Sequence, residues 1–386
     1  MDGAITFFED RVRRDPEDFI AWNQLVDRYQ RKLRRTGDDR VIRLMREAAE
    51  KSLQAMPAAQ NPGGLAALAQ AQLTAHRFAE ARVTAAQLRE IQPNKPRPLE
   101  LLADAALELG EYDEARKLCE ELKSLGGTDV AAEPRFARLE IIAGHNDRAR
   151  EHLEHGLEQG GEYAGTQPDL IAWFHLQLGE LAFKTGDWEN AATHYFDAEK
   201  AWLDWYVITD HVAELHAARG QIPEAIALYE KLTERTARPE FFQALGDLHT
   251  LANEPEKAEQ SLTRAEELYL RSTSEGGVHF FHHLAGFYAD SKPDPAKAVE
   301  WARKDLELRK SIYAWDALAW ALYKNGQAAE AAEAAGKALA TGTRDPHLLY
   351  HAGLIRLAAG DILGGRTALQ EATAVNPRFN TFHVHR

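Results

Sequence analysis

The sequence predicts an all-α protein built as an α/α superhelical solenoid of about ten helical hairpins. Apolar residues recur at helical spacing on both sides of single glycines, and the pattern returns mostly every 33 or 34 residues. With 45% hydrophobic and 27% charged residues, the composition is that of a chain able to fold throughout. Because a repeat array lengthens one core by adding units, we expect one continuous solenoid and not two or three globular domains.

The stretch 315–338 gives the pattern most clearly. Its apolar positions are Trp315, Leu318, Ala319 and Leu322 before Gly326, and Ala331, Ala335 and Ala338 after it. Two apolar sets at helical spacing around one glycine predict two short helices joined by a tight turn.

The remaining elements follow this pattern in order. Residues 1–16 are expected to form an N-terminal capping helix, and residues 17–57 a longer, variant helical repeat. Nine regular repeats are expected over 58–377, with insertions near 158–168 and 270–277 that lengthen the step between units. A short C-terminal tail occupies 378–386.

Small and aromatic residues hold fixed places in each unit. In one unit Leu178-Gly179 is followed by Ala191 and Tyr195. This spacing, W-x2-L-G-x2-Y and then A-x3-F and P, resembles the tetratricopeptide repeat, and about ten such units cover nearly the whole chain. In overall organisation the chain resembles bacterial tetratricopeptide proteins of undefined role. Pro255 and Pro295 depart from the pattern, since they replace the aromatic residue that begins a second helix.

Charge and cysteine content exclude several classes of partner and site. The chain carries 60 acidic and 46 basic residues, a net charge of −14, which opposes attraction to nucleic acid. Its one cysteine, Cys119, falls at an apolar helix position and is expected to be a small buried hydrophobe. We expect no cofactor and no membrane span, because zinc-type cysteine pairs and long apolar runs are absent. With no leader pattern before the first helix, the chain as written is expected to be cytoplasmic; alternatively, it is exported and its leader removed.

The tetratricopeptide resemblance implies that one stripe of each first helix lines a concave groove for an extended or helical peptide. Transferred by position, the stripe is Asp210, Glu214, Asp247, His283, Phe287, Asp290, Tyr313, Asp316, Trp320, Tyr323, His347 and Tyr350. These acidic, aromatic and histidine side chains favour a protein or peptide partner with a basic or aromatic segment. Repeats that clamp a chaperone's C-terminal carboxylate carry lysine and asparagine at these positions, so that use is not expected.

Three functions follow from these residues. The first is a non-catalytic scaffold or adaptor that binds a partner in the groove, since no catalytic motif is present and no catalytic residue is expected. The second is a peptide- or ligand-responsive regulator. The third, less favoured, is a metal-binding or metal-dependent protein that uses the region of His279 and His283. These two histidines form an i, i+4 pair, as do His347 and His351 two repeats later, and a site would need Asp316 or Asp290 as a third ligand. Because this third hypothesis is the least favoured, we expect no metal ligands in the chain.

Overall fold

The computed structural model describes residues 2–125, 129–162 and 168–379, and over these ranges it contains helices and no strand. Consecutive helices pack in pairs along the chain, which confirms the all-α repeat class. The helices form two compact units, one of residues 1–132 and 277–279, the other of residues 133–276 and 280–386. None of the helices in the described ranges has the length and hydropathy needed to span a bilayer.

Over its described residues, the first unit contains seven α-helices, and an eighth begins in it. They are α1 (Asp2–Arg14), α2 (Phe19–Thr36), α3 (Arg40–Ala55), α4 (Pro62–Thr74), α5 (Phe78–Ile91), α6 (Pro96–Glu108), α7 (Tyr112–Ser124) and the start of α8 (Asp129–Ile142). The first helices of successive pairs also contact each other, α2 with α4 and α4 with α6, as expected of stacked repeats.

The second unit continues with α8 and holds the remaining helices. These are α9 (Asn146–Glu162), α10 (Pro168–Lys184), α11 (Trp188–Ala201), α12 (Tyr206–Ala218), α13 (Ile222–Arg235), α14 (Pro239–Leu251), α15 (Pro255–Ser274), α16 (Phe281–Gly286), α17 (Pro295–Leu308), α18 (Ile312–Lys324), α19 (Ala328–Ala338), α20 (Pro346–Ala358) and α21 (Ile362–Val375). A π-helical turn, Phe287–Ser291, continues α16. The division into cap, variant repeat and nine regular repeats stays a prediction, and residues 163–167 of the first insertion lie outside the described residues.

Helix starts and turns follow from residue types. Pro255 and Pro295 begin α15 and α17, where proline is tolerated because the first helical N–H has no partner within the helix. The turn inside a repeat uses a left-handed backbone residue, such as Gly326 with φ of 76°. Glycine reaches this region without a steric cost, so the single glycines of the sequence pattern mark these turns.

Close helix approach makes the core. A Cβ added at Gly179 of α10 would lie 2.4 Å from Cε1 of Tyr195 in α11, so glycine is required for the two helices to pack. Tyr195 itself is 1% exposed and fills the space that Gly179 leaves. Cys119 is fully buried in α7, as predicted for a small apolar residue.

The second unit closes on itself through contacts between its first and last repeats. The hydroxyl of Thr341 donates a hydrogen bond of 2.6 Å to the carbonyl oxygen of Ile142, 199 residues away. Lys184 Nζ at the end of α10 lies 3.6 Å from Asp345 Oδ2 at the start of α20. Burial alone would lower the pKa of Lys184, but Asp345 and other nearby carboxylates hold that pKa above its ordinary value. This closure brings into contact residues that are far apart in the sequence, and the repeat pattern does not predict these contacts.

Candidate functional site

One concave feature of the second unit is a cavity of about 490 Å³, named here the Trp320 cavity. Four segments supply its wall: α14, the π-helical turn after α16, α18 and α20. Residue Phe379, after α21, completes it. The lining residues are Asp247, Thr250, Leu251, Asp290, Trp320, Tyr323, Lys324, His347, Tyr350, His351, Leu354 and Phe379.

Six of the twelve stripe residues predicted from the sequence line this cavity. They are Asp247, Asp290, Trp320, Tyr323, His347 and Tyr350. Residues three or four apart on a helix share a face, which is why Trp320 and Tyr323 appear together on α18, and His347 and Tyr350 on α20. Stacking of the repeats then sets these faces side by side.

Trp320 is held in place by an acid and a cation. Its indole Nε1 donates a hydrogen bond of 2.9 Å to Asp290 Oδ2. Lys324 Nζ lies 3.0 Å from Asp290 Oδ1 and 5.2 Å from the centre of the Trp320 ring. The cavity therefore already contains a cation that contacts both a carboxylate and an aromatic face, the pairing that stabilises a cationic side chain at a binding surface.

Histidines form the opposite side of Trp320. The His351 ring stacks on Trp320 with centroids 3.9 Å apart and planes at 9°. His351 Nδ1 lies 2.9 Å from Asp316 Oδ2, and the centroid of the His347 ring lies 4.1 Å from that of His351. The cavity wall thus joins an indole and two imidazoles, with the Asp316 carboxylate in contact with His351 behind the wall.

A residue of the chain itself packs into this surface. The ring of Phe379 lies 5.2 Å from the ring of Tyr350 and 6.2 Å from that of His347, measured between centroids. Phe379 follows α21 and the turn that contains Asn376. An aromatic side chain on an irregular segment therefore already contacts the cavity wall.

Three acids of the predicted stripe are buried and cannot offer an exposed carboxylate to a partner. Asp210 accepts a hydrogen bond of 2.8 Å from the Tyr229 hydroxyl, and burial together with Asp210 raises the pKa of Tyr229 well above its ordinary value. Glu214, 2% exposed, lies 3.5 Å from His211 Nδ1. Asp316 is covered by His351 of the next repeat. The sequence pattern predicts that these three acids line the groove, and their burial shows that they do not face it.

Phe287 is a further correction, because a phenyl ring at this position was expected to anchor a partner. It is fully buried, with its ring centroid 5.6 Å from that of Tyr269. Phe280, seven residues earlier, is also buried against Tyr269, with ring centroids 5.4 Å apart, so this side of the segment packs into the core. Phe287 turns into the core, whereas Asp290 still reaches the cavity.

The last two stripe residues lie elsewhere in the second unit. His283 is partly buried against Tyr269, with ring centroids 6.4 Å apart. Tyr313 lines a smaller cavity of about 170 Å³, named here the Lys184 cavity, together with Lys184 and Asp345. Burial raises the pKa of Tyr313, so its hydroxyl stays protonated at neutral pH.

The helical hairpins and their small-residue contacts can be compared with those of known protein families. A family model described as a tetratricopeptide repeat matches residues 73–132, which cover the end of α4, all of α5 to α7 and the start of α8. The chain contains tetratricopeptide repeats. Such repeats stack into curved surfaces that bind other proteins. No curated protein sequence matches this chain.

Solved structures similar to this tetratricopeptide chain come from several organisms. BtubC (BKLC) from P. vanneervenii is 18% identical over 54% of this chain and 92% of its own, with a TM-score of 0.41. A tetratricopeptide repeat protein from Parabacteroides merdae is 17% identical over 66% and 95%, with a TM-score of 0.38. Yeast Tom70 is 14% identical over 92% of each chain, also with a TM-score of 0.38.

The tetratricopeptide pattern did not predict that basic residues line the Lys184 cavity. Arg138 from α8 and Arg344 from the segment before α20 both line the Lys184 cavity. Arg138 occupies the position of α8 that matches Trp320 in α18, whereas Arg344 lies outside the helices and is brought beside it by the closure of the second unit. Phe379 was missed for a related reason, because a tail residue has no fixed position in a repeat.

The metal hypothesis at His279 and His283 does not match the grouping of ligand atoms. His279 Nε2 lies 3.7 Å from Asp39 Oδ2, within the first unit. Over the described ranges, the group that brings three potential ligand atoms together is Asp316, His347 and His351. The second i, i+4 pair of the sequence, His347 and His351, therefore belongs to that group, whereas His279 and His283 do not.

Proposed function

We propose that the chain is a non-catalytic scaffold whose second unit binds a protein segment carrying a basic and an aromatic residue in the Trp320 cavity. The observation that carries the proposal is the packing of Phe379 on Tyr350 within this cavity. A side chain of the protein itself thus illustrates which kind of group the surface accepts.

The chemistry of the wall supports the same partner. Lys324 lies over Trp320 and beside Asp290, so a lysine or arginine of a partner has a matching place if Lys324 moves aside. Asp247 adds a second carboxylate to the lining. Aromatic anchors surrounded by charged groups are typical of residues that dominate binding energy at interfaces.

The proposal is tested by selecting peptides from a random displayed library on the full-length protein. Peptides with an aromatic residue close to lysine or arginine are expected to be enriched, and Trp320→Ala is expected to lose them. Trp315→Ala is the matched control, since Trp315 lies on the same helix, packs under Lys337 and is not part of the cavity wall. Equal selection by wild type and Trp320→Ala would contradict the proposal.

A second candidate, a peptide-responsive regulator, is favoured by the closure of the second unit. A few polar contacts, among them Thr341 with Ile142 and Lys184 with Asp345, join its first and last repeats. A partner that separates or tightens these contacts would change surfaces far from the cavity. Hydrogen exchange of residues 341–345 with and without a selected peptide tests this: unchanged protection at saturation rules the regulator out.

A further inference from the structure

Three potential metal ligands converge from two neighbouring repeats in the second unit. Asp316 comes from α18, and His347 and His351 come from α20. One ligand atom from each side chain lies within 4.8 Å of the other two. His347 and His351 are four residues apart and therefore share one helix face, whereas Asp316 approaches from the adjacent first helix.

The residue types fit one class of ion. Two imidazoles and one carboxylate are typical ligands of zinc and other divalent first-row transition metals, while calcium and magnesium prefer oxygen atoms alone. Ligand distances of about 2.0–2.2 Å to a zinc ion place tetrahedral ligand atoms about 3.4 Å apart.

Burial and packing restrict two of the three ligands. Asp316 and His351 are each 6% exposed. The Asp316 carboxylate is therefore largely removed from water, and a positively charged partner would stabilise it. Stacking on Trp320 fixes the plane of the His351 ring.

We propose that Asp316, His347 and His351 form a binding site for a divalent transition-metal ion. Both histidines line the Trp320 cavity, so the site lies at the wall of that cavity. Three protein ligands and one open position distinguish such a site from a closed structural zinc site with four protein ligands. The site shares His347 and His351 with the wall of the Trp320 cavity, but zinc binding is measured without peptide, so its failure would leave the peptide proposal standing.

The test is calorimetric titration of the chelator-treated full chain with zinc chloride, repeated with cobalt chloride while visible absorption is recorded. One zinc ion per chain is expected to bind, and cobalt is expected to give the intense absorption of four-coordinate geometry. Asp316→Asn and His347→Gln are expected to weaken zinc binding by at least about tenfold, since they remove direct ligands.

Two control variants test whether other histidines of the chain bind the zinc. His194→Gln alters a second place where two imidazoles approach each other, and a His383→Gln, His385→Gln double variant removes the histidines of the tail, which lie outside the described residues. Both are expected to bind zinc as wild type does. Zinc is also expected to raise the unfolding temperature of wild type and of both controls, but not of His347→Gln, which separates lost binding from lost folding.

Three results would each overturn the proposal. They are the absence of saturable zinc binding to wild type, unchanged affinity in both Asp316→Asn and His347→Gln, and loss of binding in the tail double variant.

Discussion

The hydroxyl of Thr341 donates a hydrogen bond to the carbonyl oxygen of Ile142, although 199 residues separate them. Next to this bond, a Cβ added at Gly144 would lie 2.3 Å from the carbonyl oxygen of Gly342. The first and last repeats of the second unit therefore meet backbone to backbone, at a distance that leaves no room for a side chain.

Gly144→Ala is expected to disrupt this contact. Gly220→Ala is the matched control, because Gly220 occupies the same kind of turn with φ of 76° and has no atom near its missing Cβ. Both substitutions cost about 1–2 kcal/mol for a left-handed alanine, whereas only Gly144→Ala adds an overlap of about 1–3 kcal/mol. Thermal unfolding and hydrogen exchange of residues 341–345 measure the difference; equal behaviour of the two variants would show that the closure contributes nothing.

Gly179→Ala is expected to destabilise the second unit by about 1–3 kcal/mol, since its Cβ would overlap the Tyr195 ring. Gly336→Ala in α19 is the control, because its Cβ would meet nothing and alanine favours helix by about 0.5–1 kcal/mol. Denaturant unfolding should therefore shift in opposite directions. A neutral Gly179→Ala would mean that α10 and α11 do not pack as closely as described.

The pair His175 and His194 predicts a loss of stability in mild acid. Their Nδ1 atoms lie 3.2 Å apart; burial, followed by the charge of His194, lowers the pKa of His175, and burial lowers the pKa of His194 despite the opposing charge of Asp197. Because both pKa values are lower in the folded state, their contribution is complete above the ordinary value of about 6.5 and is lost as the pH falls through the lowered values.

His194→Gln removes one imidazole and the repulsion between the two. Between pH of about 7.5 and 5.5, the unfolding free energy of wild type is expected to fall more than that of the variant. Chemical denaturation at both pH values makes the comparison. A parallel pH dependence of the two proteins would refute the prediction.

Phe379→Ala is expected to tighten the binding of a selected peptide. Phe379 competes for the wall of the Trp320 cavity, and an aromatic pair such as Phe379 with Tyr350 is worth about 0.5–1.5 kcal/mol, or about 2- to 12-fold in affinity. Phe196→Ala, at an aromatic residue of α11 that is 68% exposed, is expected to change nothing. Weaker binding by Phe379→Ala would instead make Phe379 part of the surface that holds the peptide.

Much of this fold follows from local pattern, because spacing within one helix fixes which residues share a face. Trp320 and Tyr323 were predicted together for that reason, and Gly179 marked a close approach. Packing between repeats was less predictable. Asp316 has the spacing of a groove residue, yet His351 of the next repeat covers it.

Two physical effects lay beyond the sequence pattern. Burial of Phe287 depends on its contact with Tyr269 of the preceding repeat, which the spacing within one helix does not report. The closure of the second unit joins Arg138, Lys184 and Arg344 around one cavity through contacts about 200 residues apart in the chain. Periodicity describes neighbours along a helix and carries no information about such distant contacts.

The most direct test of the account is the affinity of one selected basic and aromatic peptide, measured by fluorescence anisotropy for wild type, Trp320→Ala and Trp315→Ala. Trp320→Ala is expected to lose at least about tenfold in affinity while Trp315→Ala keeps it, and wild-type binding is expected to weaken as salt screens the acids of the cavity. Equal affinity of wild type and Trp320→Ala would contradict the claim that the Trp320 cavity is the binding surface.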